Sequence, residues 1–115
     1  MTAAAMTSPA MDPAEAGRES GRRNLSFAVI GAGMSGILSS IKLREHGYTD
    51  ITIYEKADGL GGTWRANTYP GVACDVPSVL YSYSFAPNPE WSHRFAVGAE
   101  ILDYLEGVAT SNGVQ

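Results

Sequence analysis

A single cysteine, Cys74, leaves this 115-residue chain without an intrachain disulfide. One thiol suits a reducing compartment, so a cytoplasmic location is expected. Basic charge is also scarce: 8 Lys and Arg stand against 12 Asp and Glu, for a net charge of −4. A nucleic-acid binder needs a basic face to track phosphate, and this balance argues against one. Apolar runs are only a few residues long, so no transmembrane helix or membrane partner is expected. The two histidines, His46 and His93, lack other metal-ligating side chains beside them, and no metal site is expected. The opening MTAAAMTSPAMDPAEAGRESGRR has no apolar core segment and carries Asp12, Glu15 and Glu19, which argues against a secretory or mitochondrial leader. Rich in Ala, Pro, Ser and charge, residues 1–23 cannot bury a core and are expected to form a disordered tail.

What the chain does contain begins at Leu25. LSFAVI, Leu25 to Ile30, is short, apolar and partly β-branched, and a glycine follows directly; it reads as a buried strand. In the next segment Met34, Ile37, Leu38 and Ile41 repeat at i, i+3, i+4 and i+7, one face of a helix. Gly47 is placed to end that helix, with His46 in its last turn, where positive charge suits the dipole. DITIYE, Asp50 to Glu55, reads as a second strand. Strand, helix and strand in about 30 residues make a βαβ unit with parallel strands and a right-handed crossover. Lys56 to about Val79 should be long and irregular, which in a compact domain usually marks function. YSYSF, Tyr81 to Phe85, is expected to be a short strand. Ile101, Leu102, Leu105, Val108 and Ala109 mark one face of a second amphipathic helix. The fold class is therefore α/β, the βαβ part of a Rossmann-type domain over residues 24–115 with an incomplete sheet.

The turn GAGMSG between the first strand and the helix meets the requirements of a dinucleotide site in order. Gly31 can take the tight turn, Gly33 presents no Cβ to an approaching pyrophosphate, and Gly36 lets the helix pack on the strand. The helix N-terminus aims unpaired N–H groups at the phosphates. An acid is required about 20 residues on, at the end of the second strand, to accept from a ribose hydroxyl. Glu55 lies 19 positions after Gly36. Its charge disfavours a 2′-phosphate, so the site suits the ADP half of FAD or NAD. The competing reading is a generic βα turn with a surface glutamate, which leaves the agreement of turn, helix, strand and acid unexplained.

Further along, Gly61-Gly62-Thr63-Trp64, Tyr69-Pro70-Gly71, Cys74-Asp75-Val76-Pro77-Ser78 and Tyr81-Ser82-Tyr83-Ser84-Phe85 together resemble the FAD-binding end of flavin-dependent monooxygenases of the Baeyer–Villiger and flavin-containing types. The resemblance runs from about Phe27 onward and looks most like the 4-hydroxyacetophenone-type ketone monooxygenases. It implies FAD as the bound cofactor, NADPH as the hydride donor, and O2 with a small organic substrate as reactants. It also implies that Asp75 lies near the flavin and helps place an arginine from elsewhere in the enzyme, and that Tyr81 contacts FAD. The candidate cofactor-binding set is thus Gly31, Gly33, Ser35, Gly36, Glu55, Lys56, Gly62, Thr63, Trp64, Asp75 and Tyr81, with Asp75 the candidate catalytic residue. Arg65, Ala66 and Thr68 depart from the commoner family pattern, and the subtype stays open between Baeyer–Villiger oxidation and N- or S-oxygenation.

Blander roles stand beside these. Trp64 and Trp91 read equally as packing residues, Asp75 as a turn-capping acid, Cys74 as a small buried residue and His93 as solvent-facing. A second G-x-G-x-x-G for NADPH is absent from the sequence, as is the F-x-G-x-x-x-H-x-x-x-W signature of the resembled family. The chain is therefore expected to be the FAD-binding fragment of a longer enzyme, ending before its NADPH domain and inactive alone. Two alternatives remain at this point: another FAD- or NAD(P)-dependent oxidoreductase, or a non-catalytic nucleotide-binding remnant. A disulfide reductase lacks support, since no C-x-x-x-x-C follows the Glu55 strand.

Overall fold

The computed structural model describes residues 24–114; the expected tail at residues 1–23 lies outside the described residues. Strand β1 (Ser26–Ile30) leads through the glycine turn into helix α1 (Met34–Glu45), which returns the chain to strand β2 (Asp50–Tyr54). The two strands pair in parallel, with Ser26 opposite Asp50 and Ile30 opposite Tyr54. A single turn of helix, α2 (Thr63–Ala66), interrupts the irregular stretch after β2, and α3 (Gly98–Ser111) closes the described fold. No helix among the described residues is long and apolar enough to cross a membrane.

The βαβ unit forms where the hydrophobic period changes. β1 and β2 alternate between half-buried and exposed residues, while α1 buries Ile37, Ser40 and Ile41 on one side. α1 stops as its last-turn carbonyls take donors outside the i to i−4 ladder: the Gly47 N–H bonds Arg44 O at 2.9 Å, and the Tyr48 N–H bonds Leu43 O at 3.1 Å. Gly47 then turns the chain at φ +87°, a conformation side chains resist. Tyr48 packs edge-on against Phe27 on the way back to the sheet.

The core lies mainly between α1 and α3 rather than within the sheet. Ile37 and Ile41 meet Ile101, Leu105 and Ala109, with Cys74, Tyr83 and Ala96 filling in from the connecting segments. That corrects the expectation of a buried first strand: Leu25 is exposed, and Ile30 is 82% exposed. Helix α1 shields one side of the two-stranded sheet, and the opposite side is open among the described residues. The expected strand at Tyr81 to Phe85 is also absent; the segment is turn and bend. Its polar groups find partners outside any ladder. The Tyr83 N–H donates to the Tyr104 hydroxyl, the Ala86 N–H closes a turn on Tyr83 O, and the Tyr83 hydroxyl donates to Met34 O at the head of α1. Tyr83 and Phe85 stack with ring centres 5.2 Å apart, closer than i, i+2 neighbours on a strand would stand. Burial pushes the Tyr83 phenol far above its ordinary range, and Tyr104 and Tyr81 add to the shift.

The chain from Val72 to Ser78 runs beside Arg94 to Gly98. Cys74 N–H bonds Ala96 O, Ser78 N–H bonds Arg94 O, and Gly98 N–H bonds Val72 O. These bonds position the head of α3 against the loop that carries the second group of glycines.

Candidate functional site

The first glycine turn grows out of the sheet. The Gly31 N–H extends the parallel ladder by donating to Tyr54 O at 2.8 Å. Gly31 then takes φ +93°, and the chain swings into α1 through Ala32 and Gly33. Gly36 is a packing glycine: a Cβ there would stand 1.9 Å from the Gly31 carbonyl oxygen and 3.5 Å from Val29 Cγ1. Gly33 caps α1 in extended conformation without a side-chain hydrogen bond, and no acid lies in the first turn. The leading N–H groups of a helix have no intrahelical acceptor, so an uncapped N-terminus with its positive dipole end attracts an anion.

Glu55 secures this turn from the end of β2. Its Oε2 accepts the Ala32 N–H at 2.6 Å, and its Oε1 accepts the Ala57 N–H at 2.9 Å. Those two backbone donors, Ala32 first, hold the carboxyl below its usual range. An ionised carboxylate has about four acceptor sites, so these two bonds leave it spare acceptor capacity.

The second glycine turn lies directly on the first. The Gly61 N–H donates to Ala32 O at 2.9 Å. Gly62, at φ +55°, sits so close that a Cβ would be 2.8 Å from Gly33 Cα. Glycines here allow two backbones to touch. Thr63 and Trp64 open α2, and the indole Nε1 donates to the Tyr81 hydroxyl at 3.1 Å while the rings meet edge to face. Between these parts is a cleft of about 320 Å³. Gly31, Gly33, Ser35 and Gly36 line one side, and Gly62, Thr63, Trp64 and Tyr81 the other.

Eight of the eleven residues singled out in the sequence therefore share one cleft. Glu55 stands behind it through Ala32. Lys56 is exposed and does not line it. Asp75 is exposed in the bend after the buried Cys74 and lies outside the lining. Met34, Ile30 and Gly61 also line the cleft without belonging to the set. Gly61 was legible as the neighbour of Gly62. Ile30 reads as core in a buried strand and becomes a cleft residue only because its face of the sheet is open.

The groups present fit a dinucleotide: two glycine turns in backbone contact beside one cleft, an uncapped helix N-terminus and a carboxylate with spare acceptor capacity. A family model described as an NAD(P)-binding Rossmann-like domain matches residues 29–101, more than half of the chain. A Baeyer–Villiger monooxygenase of Streptomyces coelicolor is 51% identical over 92 residues, which make up 80% of this chain and 18% of that protein. Among solved structures, an oxidised steroid monooxygenase bound to NADP aligns with a TM-score of 0.73 at 42% identity, over 77% of this chain and 18% of that one. A complex of OTEMO with FAD and NADP aligns with a TM-score of 0.73 at 34% identity, over 81% of this chain and 18% of that one. The chain thus spans about 18% of the length of each of these relatives. With the end of β1, the glycine turn, α1, β2 and Glu55 all inside the matched span, the chain belongs to the family of NAD(P)-binding Rossmann-like domains.

Proposed function

We propose that this chain is the FAD-binding portion of an NADPH-dependent flavoprotein monooxygenase, acting on a small organic substrate with O2. The observation that carries the reading is the contact of the two glycine turns, Gly31–Gly36 and Gly61–Gly62, around one cleft. The similarity to a Baeyer–Villiger monooxygenase and to a FAD- and NADP-bound structure supports the choice of chemistry. When bound, FAD supplies the redox chemistry, and the protein supplies binding and orientation.

Each residue has a part in that binding. Gly33 and the uncapped first turn of α1 receive the pyrophosphate. Glu55 accepts from the adenosine ribose while holding Ala32 in place. Gly62 and Thr63 carry a second backbone segment to the cofactor, and Trp64, braced by Tyr81, forms a wall of the cleft. Asp75 is assigned the positioning of an arginine by the resemblance alone. The single cysteine, buried and free, suits a cytoplasmic setting.

Titration of the chain with FAD, FMN, ADP, NAD+ and NADP+, followed by calorimetry, tests the reading. FAD should bind best, ADP should retain a measurable share, and NADP+ should bind least of the dinucleotides because its 2′-phosphate meets Glu55. FMN lacks the adenosine and should not bind. FMN binding as tightly as FAD would overturn the assignment, and NAD+ binding more tightly than FAD would favour a nicotinamide-nucleotide site.

A further inference from the structure

Arg65 follows Trp64 but does not line the cleft. Its guanidinium instead reaches away from it in three directions. Nε donates to the Leu60 carbonyl at 2.5 Å, and Nη2 donates to Glu106 Oε1 on α3 at 2.6 Å. Nη1 lies 3.7 Å from Asp58 Oδ1. A planar fork with fixed donors can hold a carbonyl and a carboxylate together, which a lysine ammonium does less well. Among the described residues, this is the polar link between the second glycine turn and α3.

The turn is fitted to that side chain. A Cβ on Gly59 would come within 2.7 Å of the Arg65 guanidinium carbon, and one on Gly61 would meet Arg65 Cβ at 3.2 Å and Leu102 Cδ1 at 2.3 Å. On its other side the same turn touches the first one, through Gly61 N–H to Ala32 O and Gly62 against Gly33. The second turn is therefore wedged between α3 and the first turn.

We propose that Arg65 is a positioning residue: by tying the Leu60 carbonyl to Glu106, it fixes the second glycine turn against the first and so sets the affinity of the cleft for FAD without touching the cofactor. The affinity part rests on the FAD reading above. The test combines amide hydrogen exchange on the cofactor-free chain with FAD titration, in wild type, Arg65→Met, Arg65→Lys and Glu106→Gln. In Arg65→Met, exchange at the Gly61 amide should quicken about tenfold, as expected for loss of a charged hydrogen bond, while Ile37 and Ile41 in α1 keep their protection. The FAD dissociation constant should rise by about the same factor. Glu106→Gln should shift both readouts in the same direction by less, and Arg65→Lys should fall between wild type and Arg65→Met. If Arg65→Met does not fold, Glu106→Gln carries both measurements. Unchanged Gly61 exchange in the folded variants would overturn the proposal, as would a loosened turn with unchanged FAD affinity. A wild-type chain that bound no FAD would count against the FAD reading, while Gly61 exchange would still decide whether Arg65 holds the turn.

Discussion

Gly33 and Gly36 are three residues apart in one motif, yet they answer to different demands. Gly36 has the Gly31 carbonyl 1.9 Å from where its Cβ would be, so the helix cannot sit on the strand with any side chain there. Gly33 has only ordinary contact, with Gly62 Cα at 3.5 Å. Gly36→Ala should therefore lower the unfolding free energy by an amount typical of overpacking, about 1–3 kcal/mol or more. Gly33→Ala should melt close to wild type but lose FAD affinity, and Gly33→Val should retain no flavin. Paired denaturation and flavin titration would check the contrast; equal flavin binding by Gly33→Val would remove Gly33 from the site. Glu55 gives a pH prediction. Its carboxyl is held low in the folded state by the Ala32 and Ala57 N–H groups, so its hold on the turn is complete above the ordinary value of 4.5 and is lost as pH falls through the lower folded value. The Ala32 and Ala57 amide resonances should titrate together with a midpoint below 4.5. A midpoint at or above that value would mean that the bonds to Glu55 do not persist in solution.

Helices α1 and α3 carry the core, and Leu105 is fully buried where they meet. Leu105→Ala should cost about 2–5 kcal/mol in denaturant unfolding, whereas Val79→Ala, on an exposed residue, should change little. These helices were legible in the sequence because their signal is local: Ile37 and Ile41, then Ile101, Leu105 and Ala109, repeat at the helical period and lie on the buried faces. The glycine turn was legible for the same reason, since strand, turn and helix follow one another directly. Tyr81 to Phe85 misled because alternating aromatics mimic a strand, while Tyr83 is held by Tyr104 and Met34, which lie far from it in sequence. The pairing of Arg65 with Glu106 was invisible too. It spans 41 positions, and neither residue carries a motif that names the other.

At the scale of the whole molecule, the described sheet is incomplete in a way that has chemical consequences. Parallel sheets are ordinarily covered on both faces, and here Ile30 and Tyr54 stand open on one. Val79, Leu80, Phe95 and Val97 add further exposed apolar surface. Unpaired strand edges and apolar surface of this kind favour association, so the 115-residue chain should elute as a concentration-dependent mixture in size exclusion with light scattering. Replacing Val79 and Leu80 with lysine should shift that mixture toward monomer. The same openness bears on activity. On the FAD reading proposed above, this cleft takes the adenosine and pyrophosphate, and these 115 residues hold one G-x-G-x-x-G turn, so in this chain alone the flavin ring would meet water and no second nucleotide turn would present NADPH to it. A reduced flavin exposed to water loses its electrons to O2 as hydrogen peroxide rather than transferring oxygen to a substrate. The chain loaded with FAD and reduced chemically should therefore produce peroxide on exposure to air. With NADPH and a panel of ketones and sulfides it should form neither ester nor sulfoxide. Coupled product formation by these 115 residues would show that an oxygenating site can be completed without a second nucleotide turn, and would overturn the assignment of this chain to cofactor binding alone.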